Sequence, residues 1–149
     1  LIENSDEPYA AEIASVVMQE LKKGIGGYNI KLRELIEKAL VRVPAADRKE
    51  AVKKSCARTF QALRIDVNSE FEVLEAFLQK LPDVLNPGGR VAVLTFHSGE
   101  DRLVKKSFKE NVKAGIYSEA AKDVIRPSAE ECRCNSRAHS TKLRWAVRS

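Results

Sequence analysis

This chain is short of several things, and each shortage excludes something. Among 149 residues there are three cysteines, two histidines, one tryptophan and one methionine. No apolar run approaches the roughly 20 residues that a membrane-spanning helix requires, so no membrane helix is expected. Cys56, Cys132 and Cys134 are odd in number and contain no CxxC pair; free thiols in a reducing compartment are the expectation. Cys132, Cys134 and His139 lack a fourth ligand and the usual zinc spacing, so no metal is expected. The G-x-S-x-G elbow, the metalloprotease pattern and the phosphate-binding P-loop are all missing. An initiator methionine is missing too. The chain opens on Leu1 and soon carries Glu3, Asp6, Glu7 and Glu12, which suits neither a signal nor a transit peptide. An internal piece of a longer chain is expected.

What is present reads as globular. The chain is 44% hydrophobic and 32% charged, with a net charge of +5, and is long enough for one domain with a sizeable core. The positive excess is uneven. From Ala121 to Ser149 seven basic residues face three acidic ones. A basic tail suits a polyanion, nucleic acid above all; a solvated, charge-mixed surface is the plainer alternative.

The first half reads as helices. Pro8 stands near a helix start, with Asp6 and Glu7 beside its positive end. Ile13, Val16, Val17 and Leu21 recur at helical spacing until Gly24, Gly26 and Gly27. Asn29 can cap a second helix with Leu32, Leu35, Ile36, Ala39 and Leu40 on one face. A third is expected from near Asp47 into Arg58–Leu63. Phe71, Leu74, Phe77, Leu78 and Leu81 mark a fourth, closed by Pro82. The texture then changes. Pro87-Gly88-Gly89 launches Arg90–Phe96, whose near-continuous apolar content predicts a strand covered on both faces. A helix follows from about Asp101 to Gly115. Asp123–Arg126 reads as a short strand. Lys142–Arg148 alternates, with Leu143, Trp145 and Val147 opposite Lys142, Arg144 and Arg148; this predicts a half-exposed strand, antiparallel or at an edge. So few strands with apolar faces need more sheet to pair with.

Three polar clusters offer chemistry. Arg58, Gln61 and Arg64 share one helix face, and Phe60 and Leu63 are expected to anchor it. Such planar donors suit phosphate or a base edge; surface salt bridges are the alternative. His97, Ser98, Glu100, Asp101 and Arg102 crowd the carboxyl end of a strand, where open α/β sheets place ligands. Ser98 can cap the next helix, with Glu100 and Asp101 complementing its dipole. Arg137, His139, Lys142 and Arg144 stand among small hydroxyl residues, as phosphate contacts would, or as an edge strand's protective charges would.

Taken together, the clusters resemble the carboxyl-terminal half of the S-adenosylmethionine-dependent 16S ribosomal RNA cytosine-N4 methyltransferases of bacteria and organelles. Arg58–Asn68 (RTFQALRIDVN) resembles that family's RTFQALRI-x-VN block. Pro87–Arg102 (PGGRVAVLTFHSGEDR) resembles its GGR…SFHS-x-EDR block. IRPSAEE…NSRAHSTKLR, ending at Arg144, resembles its closing block. Lys54-Ser55-Cys56, Gly99 (leucine is usual), Cys134-Asn135-Ser136 and His139 depart from the pattern, as in a divergent, plastid-type branch.

The resemblance implies an α/β fold: a helical insertion domain over residues 1–81, then the carboxyl-terminal part of a Rossmann-like class I methyltransferase sheet over 82–149. It implies RNA or substrate contacts by Arg58, Gln61, Arg64, Asn68, Ser98, Glu100, Asp101, Arg102, Arg137, Lys142 and Arg144, with His97 as candidate catalytic base. S-adenosylmethionine would be the cofactor, bound by the amino-terminal half of the family fold, with no cofactor-binding residue here. The chain alone would be inactive. The implied partner is small-subunit ribosomal RNA or the ribosomal subunit, with a homodimer allowed and no membrane. The implied location is bacterial cytoplasm or an organelle, the plastid stroma first. Two rivals remain: a non-catalytic RNA-binding module, and a helical domain that binds protein.

Overall fold

A computed structural model describes residues 1–23 and 29–149, with the backbone alone at 29 and 30. The glycine stop expected at Gly24, Gly26 and Gly27, and the side-chain cap expected of Asn29, lie outside the described residues. The chain divides into two units, Leu1–Asn68 and Ser69–Ser149. No described helix is long and apolar enough to cross a membrane.

The first unit is helical: α1 (Ile2–Ser5), α2 (Ala10–Lys22), α3 (Asn29–Ala39) and α4 (Ala45–Asn68). Ile13, Ile36, Leu40 and Val52 form its core, with Val17 and Leu32 packed against it. The α3 stripe lies where its spacing predicts. On α2, Ile13 is buried but Leu21 is exposed. Helix α4 starts two residues earlier than expected and runs on through Asn68. Its buried stripe is Val52, Ser55, Thr59, Ala62 and Ile65, at the three- and four-residue steps of one helix face. This corrects the expected anchors. Leu63 is 43% exposed, because the face that packs is chosen by small residues admitting close approach, not by the largest side chains.

The second unit holds α5 (Glu70–Val84), β1 (Arg90–Thr95), α6 (Ser98–Lys113), β2 (Tyr117–Ala120), α7 (Ala129–Cys134), a 3-10 turn (Ser136–Ser140) and β3 (Lys142–Arg148). Helix α5 runs past Pro82 to Val84; the proline, which has no N–H, leaves unmade the bond to the Leu78 carbonyl. Its Leu78 and Leu81 share a core with Val104, Phe108, Tyr117 and Ala146. Packing therefore joins residues 70–84 to the sheet, and the units part thirteen residues before the boundary expected at 81/82.

The sheet is antiparallel, in the order β1-β3-β2. Strand β3 is central, a correction to the edge position that its alternation allowed. The sense of the alternation is also reversed. Arg144 and Ala146 are the buried residues, while Leu143, Trp145 and Val147 alternate with them on the opposite face. The arginines can turn inward because their donors find acceptors there: Asp101 for Arg144, and the Pro82 and Ile116 carbonyls for Arg148. The strand expected at Asp123–Arg126 is displaced to Tyr117–Ala120; only Ile125 makes a bridge, to Leu143. Strand β1 is covered on one face rather than two. Val91 and Val93 pack on the core, whereas Leu94 is half exposed on the face it shares with its partner Leu143.

Candidate functional site

The turn from β1 into α6 is built around His97. A proline-glycine turn sets β1 in place, with Gly88 at φ 73° and its N–H donating to the Arg148 carbonyl. At the far end His97, not Ser98, caps α6. The Glu100 N–H donates to His97 Nδ1 at 3.4 Å, while Glu100 Oε2 accepts from the N–H groups of Phe96 (2.8 Å) and His97 (3.3 Å). This is a reciprocal capping box, and it absorbs the polarity of Glu100.

The same geometry revises the reading of His97 as a base. With Nδ1 accepting an amide proton, the neutral ring carries its own proton on Nε2. Nε2 lies 3.5 Å from Glu100 Oε1. Glu70, His97 and Glu100 each bring one polar atom within 4.8 Å of the others. A ring protonated at Nε2 presents an N–H on that side and not the free lone pair that a metal would need. Phe71 packs on the ring, with centroids 5.8 Å apart. Glu70 carries no signal in the sequence reading, and Phe71 enters it only as part of the apolar stripe of an amphipathic helix.

Asp101 is the hub of the rim. Arg144 Nε donates to its Oδ1 at 2.7 Å and Nη2 to its Oδ2 at 3.3 Å, with Lys142 Nζ 3.9 Å away. Burial works against ionising Asp101, but the hydrogen bonds and charge of Arg144, then Lys142 and Lys105, prevail and hold its pKa below the ordinary value of 3.8. Two predicted contacts, Asp101 and Arg144, are thus spent on each other. Arg144 is 6% exposed, a placement that fixes the fold rather than reaching a phosphate. Ser98, Arg102 and Arg137 are exposed and remain available. Arg137 sits in the 3-10 turn, its N–H held by Asn135 Oδ1 at 3.1 Å.

The α4 cluster belongs to the first unit. Gln61 is half buried; Arg64 and Asn68 are exposed, each with a partner in the protein. Arg58 Nη1 lies 3.9 Å from Glu7 Oε2. The Glu7 side chain is fully buried and accepts from Ser55 Oγ (2.8 Å) and the Tyr9 N–H (3.0 Å). A buried carboxylate thus restrains Arg58. Sequence reading placed Glu7 at a helix start and missed this partnership, which links residues 51 apart in the chain.

Among the described residues, the β1–α6 turn is the tight strand-to-helix turn at which S-adenosylmethionine could be held. Its glycine leaves no cradle: a Cβ on Gly99 would lie 2.6 Å from Phe71 Cζ. The capping box fills the rest. These residues do not fit the cofactor.

All of residues 1–149 match the MraW methylase family. The chain is 64% identical over its whole length to ribosomal RNA small subunit methyltransferase H 1 of Lachnoclostridium phytofermentans, covering 41% of that protein. It is 61% identical to the protein of the same name from Agathobacter rectalis, and 55% identical to ribosomal RNA small subunit methyltransferase H 2 of Alkaliphilus metalliredigens, covering 43% of each. The chain spans about two-fifths of these relatives' length. They are bacterial, and the plastid-type expectation finds no support in them.

Proposed function

Because the chain belongs to the MraW methylase family, we propose that it is the RNA-gripping part of an S-adenosylmethionine-dependent methyltransferase, one that methylates the N4 amine of a cytidine in small-subunit ribosomal RNA in the bacterial cytoplasm. The family match over every residue carries this reading. In it, the first unit is the larger part of the helical insertion and the second is the closing part of a Rossmann-like sheet. Strand β1 is an edge strand with a half-exposed apolar outer face, and such strands are covered or paired in stable proteins. The rest of the methyltransferase sheet is its proposed partner, and the cofactor pocket belongs to that remainder.

Methyl transfer to an exocyclic amine needs an unstacked, aligned base and an exit for its proton. Arg58, Gln61, Arg64 and Asn68 are assigned to RNA and base positioning. Ser98, Arg102, Arg137 and Lys142 are assigned to phosphate contact beside the rim. Asp101, Glu100 and Arg144 hold that rim in shape.

A chimera tests the reading. This chain replaces its matching segment in the Lachnoclostridium phytofermentans relative, and radiolabelled methyl transfer into small ribosomal subunits is followed. Transfer to cytidine N4 is expected. A folded chimera that binds RNA but transfers nothing, beside an active parent, would favour the non-catalytic RNA-binding module. Titration calorimetry of the 149-residue chain with S-adenosylmethionine is expected to show no binding at micromolar concentrations; saturable heat there would overturn the placement of the pocket.

In the same chimera His97→Ala separates two roles. As a cap, the residue is worth about 1 kcal/mol of stability, and its loss leaves the pH–rate profile unshifted. That is the expected outcome. A loss of about a hundredfold in turnover with a displaced profile would restore His97 as a proton acceptor.

A further inference from the structure

We infer that a groove between α3 and α4, within the first unit, binds the phosphodiester backbone of RNA. This rests on the reading that the protein acts on ribosomal RNA and adds a contact site outside the three polar clusters. The groove has a volume of about 1050 Å³. Val52 and Cys56 line it together with the cations Arg33, Arg48, Lys49 and Lys53.

The charge of the groove is not balanced within the protein. Its two acids are committed: Glu37 Oε1 lies 3.1 Å from Arg33 Nε, and Glu50 Oε1 lies 3.5 Å from Lys54 Nζ. Arg48 is locked in place by carbonyls of the turn between α3 and α4, with Nη2 at 2.6 Å from Val41 O and Nε at 3.0 Å from Val43 O. Those acceptors are neutral, so its full charge stays beside the groove. Lys49 and Lys53 are exposed and have no carboxylate partner among the described residues. They stand four apart on one helix face, where like charges repel and weaken the helix. An anion laid along the groove would relieve that repulsion.

The chemistry selects phosphate. Lysine ammonium groups bind phosphate as compact point charges on flexible stems, and a pre-fixed arginine beside them loses little freedom on binding. An open groove with a partly apolar floor suits a strand whose sugars face the wall while its phosphates meet the lysines.

The test is fluorescence anisotropy of a labelled oligouridylate with the 149-residue chain over a range of KCl concentrations. Removing two contacts in K49Q/K53Q is expected to flatten the slope of log affinity against log salt by about 1.4, at roughly 0.7 per single-strand phosphate. A matched pair on α6, K109Q/K113Q, is expected to leave the slope unchanged. RNA is also expected to slow alkylation of Cys56, on the groove wall, relative to Cys134. Binding by the parent with an unaltered slope in K49Q/K53Q, or an equal loss in K109Q/K113Q, overturns the groove and leaves the ribosomal RNA reading standing. Failure of the parent to bind either oligouridylate or small-subunit RNA overturns both. Tighter binding to polyglutamate than to oligouridylate, lost in K49Q/K53Q, would assign the groove to an acidic protein segment instead.

Discussion

Asp101→Ala is expected to destabilise the second unit by about 3–5 kcal/mol, the usual cost of stranding one partner of a buried ion pair. Arg144 is 6% exposed and would keep its charge with no carboxylate at 2.7 Å. Trp145, the only tryptophan, adjoins Arg144 on β3, so urea unfolding followed by its fluorescence reads the change directly. Replacing both partners, as D101A/R144M, is expected to recover most of the loss, because no uncompensated charge is then buried. A D101A variant as stable as the parent would deny the pair its structural role. The pair also sets a pH dependence. The folded-state pKa of Asp101 lies below its ordinary 3.8, so its stabilisation is complete above the unfolded value and lost as pH falls through the folded one. Acidification below about pH 4 should therefore narrow the gap between parent and D101A.

Gly99→Leu is expected to cost about 1–3 kcal/mol through overpacking, and Phe71→Ala in the same chain to return a large part of it. A Cβ at residue 99 would meet Phe71 Cζ at 2.6 Å and His97 Nδ1 at 3.2 Å. The leucine would therefore push on both the aromatic contact and the cap of α6. The family that the sequence resembles usually has leucine in this turn; here Phe71 occupies the space from the side of α5. The double variant G99L/F71A is expected to be more stable than the sum of its parts by about 1 kcal/mol, as coupled neighbours are. Strict additivity in thermal or urea melts would show that the two side chains do not compete for one volume.

These residues also mark how far the fold could be read in advance. Helical periodicity placed the α3 stripe, and apolar density placed β1, because burial of one face leaves a direct imprint on residue order. Strand β3 lies at the residues expected, Lys142–Arg148, but its buried face and that of α4 differ from the expected ones for a shared reason. Pattern reading puts large apolar residues inside and charges outside. In α4 the buried face is instead Ser55, Thr59 and Ala62, and in β3 it is Arg144 beside Ala146; Ser55 is partnered by Glu7 and Arg144 by Asp101, both distant in the chain. A partner such as Glu7 or Asp101 leaves no periodic trace at the residue it rescues. The rim residues were legible as a block, through resemblance. Their division into those that hold the turn and those that face outward required distances. Lys49 and Lys53 were passed over because a lysine pair reads as ordinary surface until its acidic neighbours prove to be engaged.

The order of strands carries a consequence for biosynthesis. The middle strand of the three is the last of them to be translated, so neither β1 nor β2 can pair with β3 until residues up to Arg148 have left the ribosome. The helices of residues 1–68 make their contacts from chain already released. On a translating ribosome the first unit is thus free to fold early, while β1 waits through more than fifty residues of synthesis with the edge that β3 will cover left open. Vectorial synthesis releases such elements at about 5–20 residues per second, leaving seconds in which a chaperone, or another nascent copy, competes with β3 for the same edge.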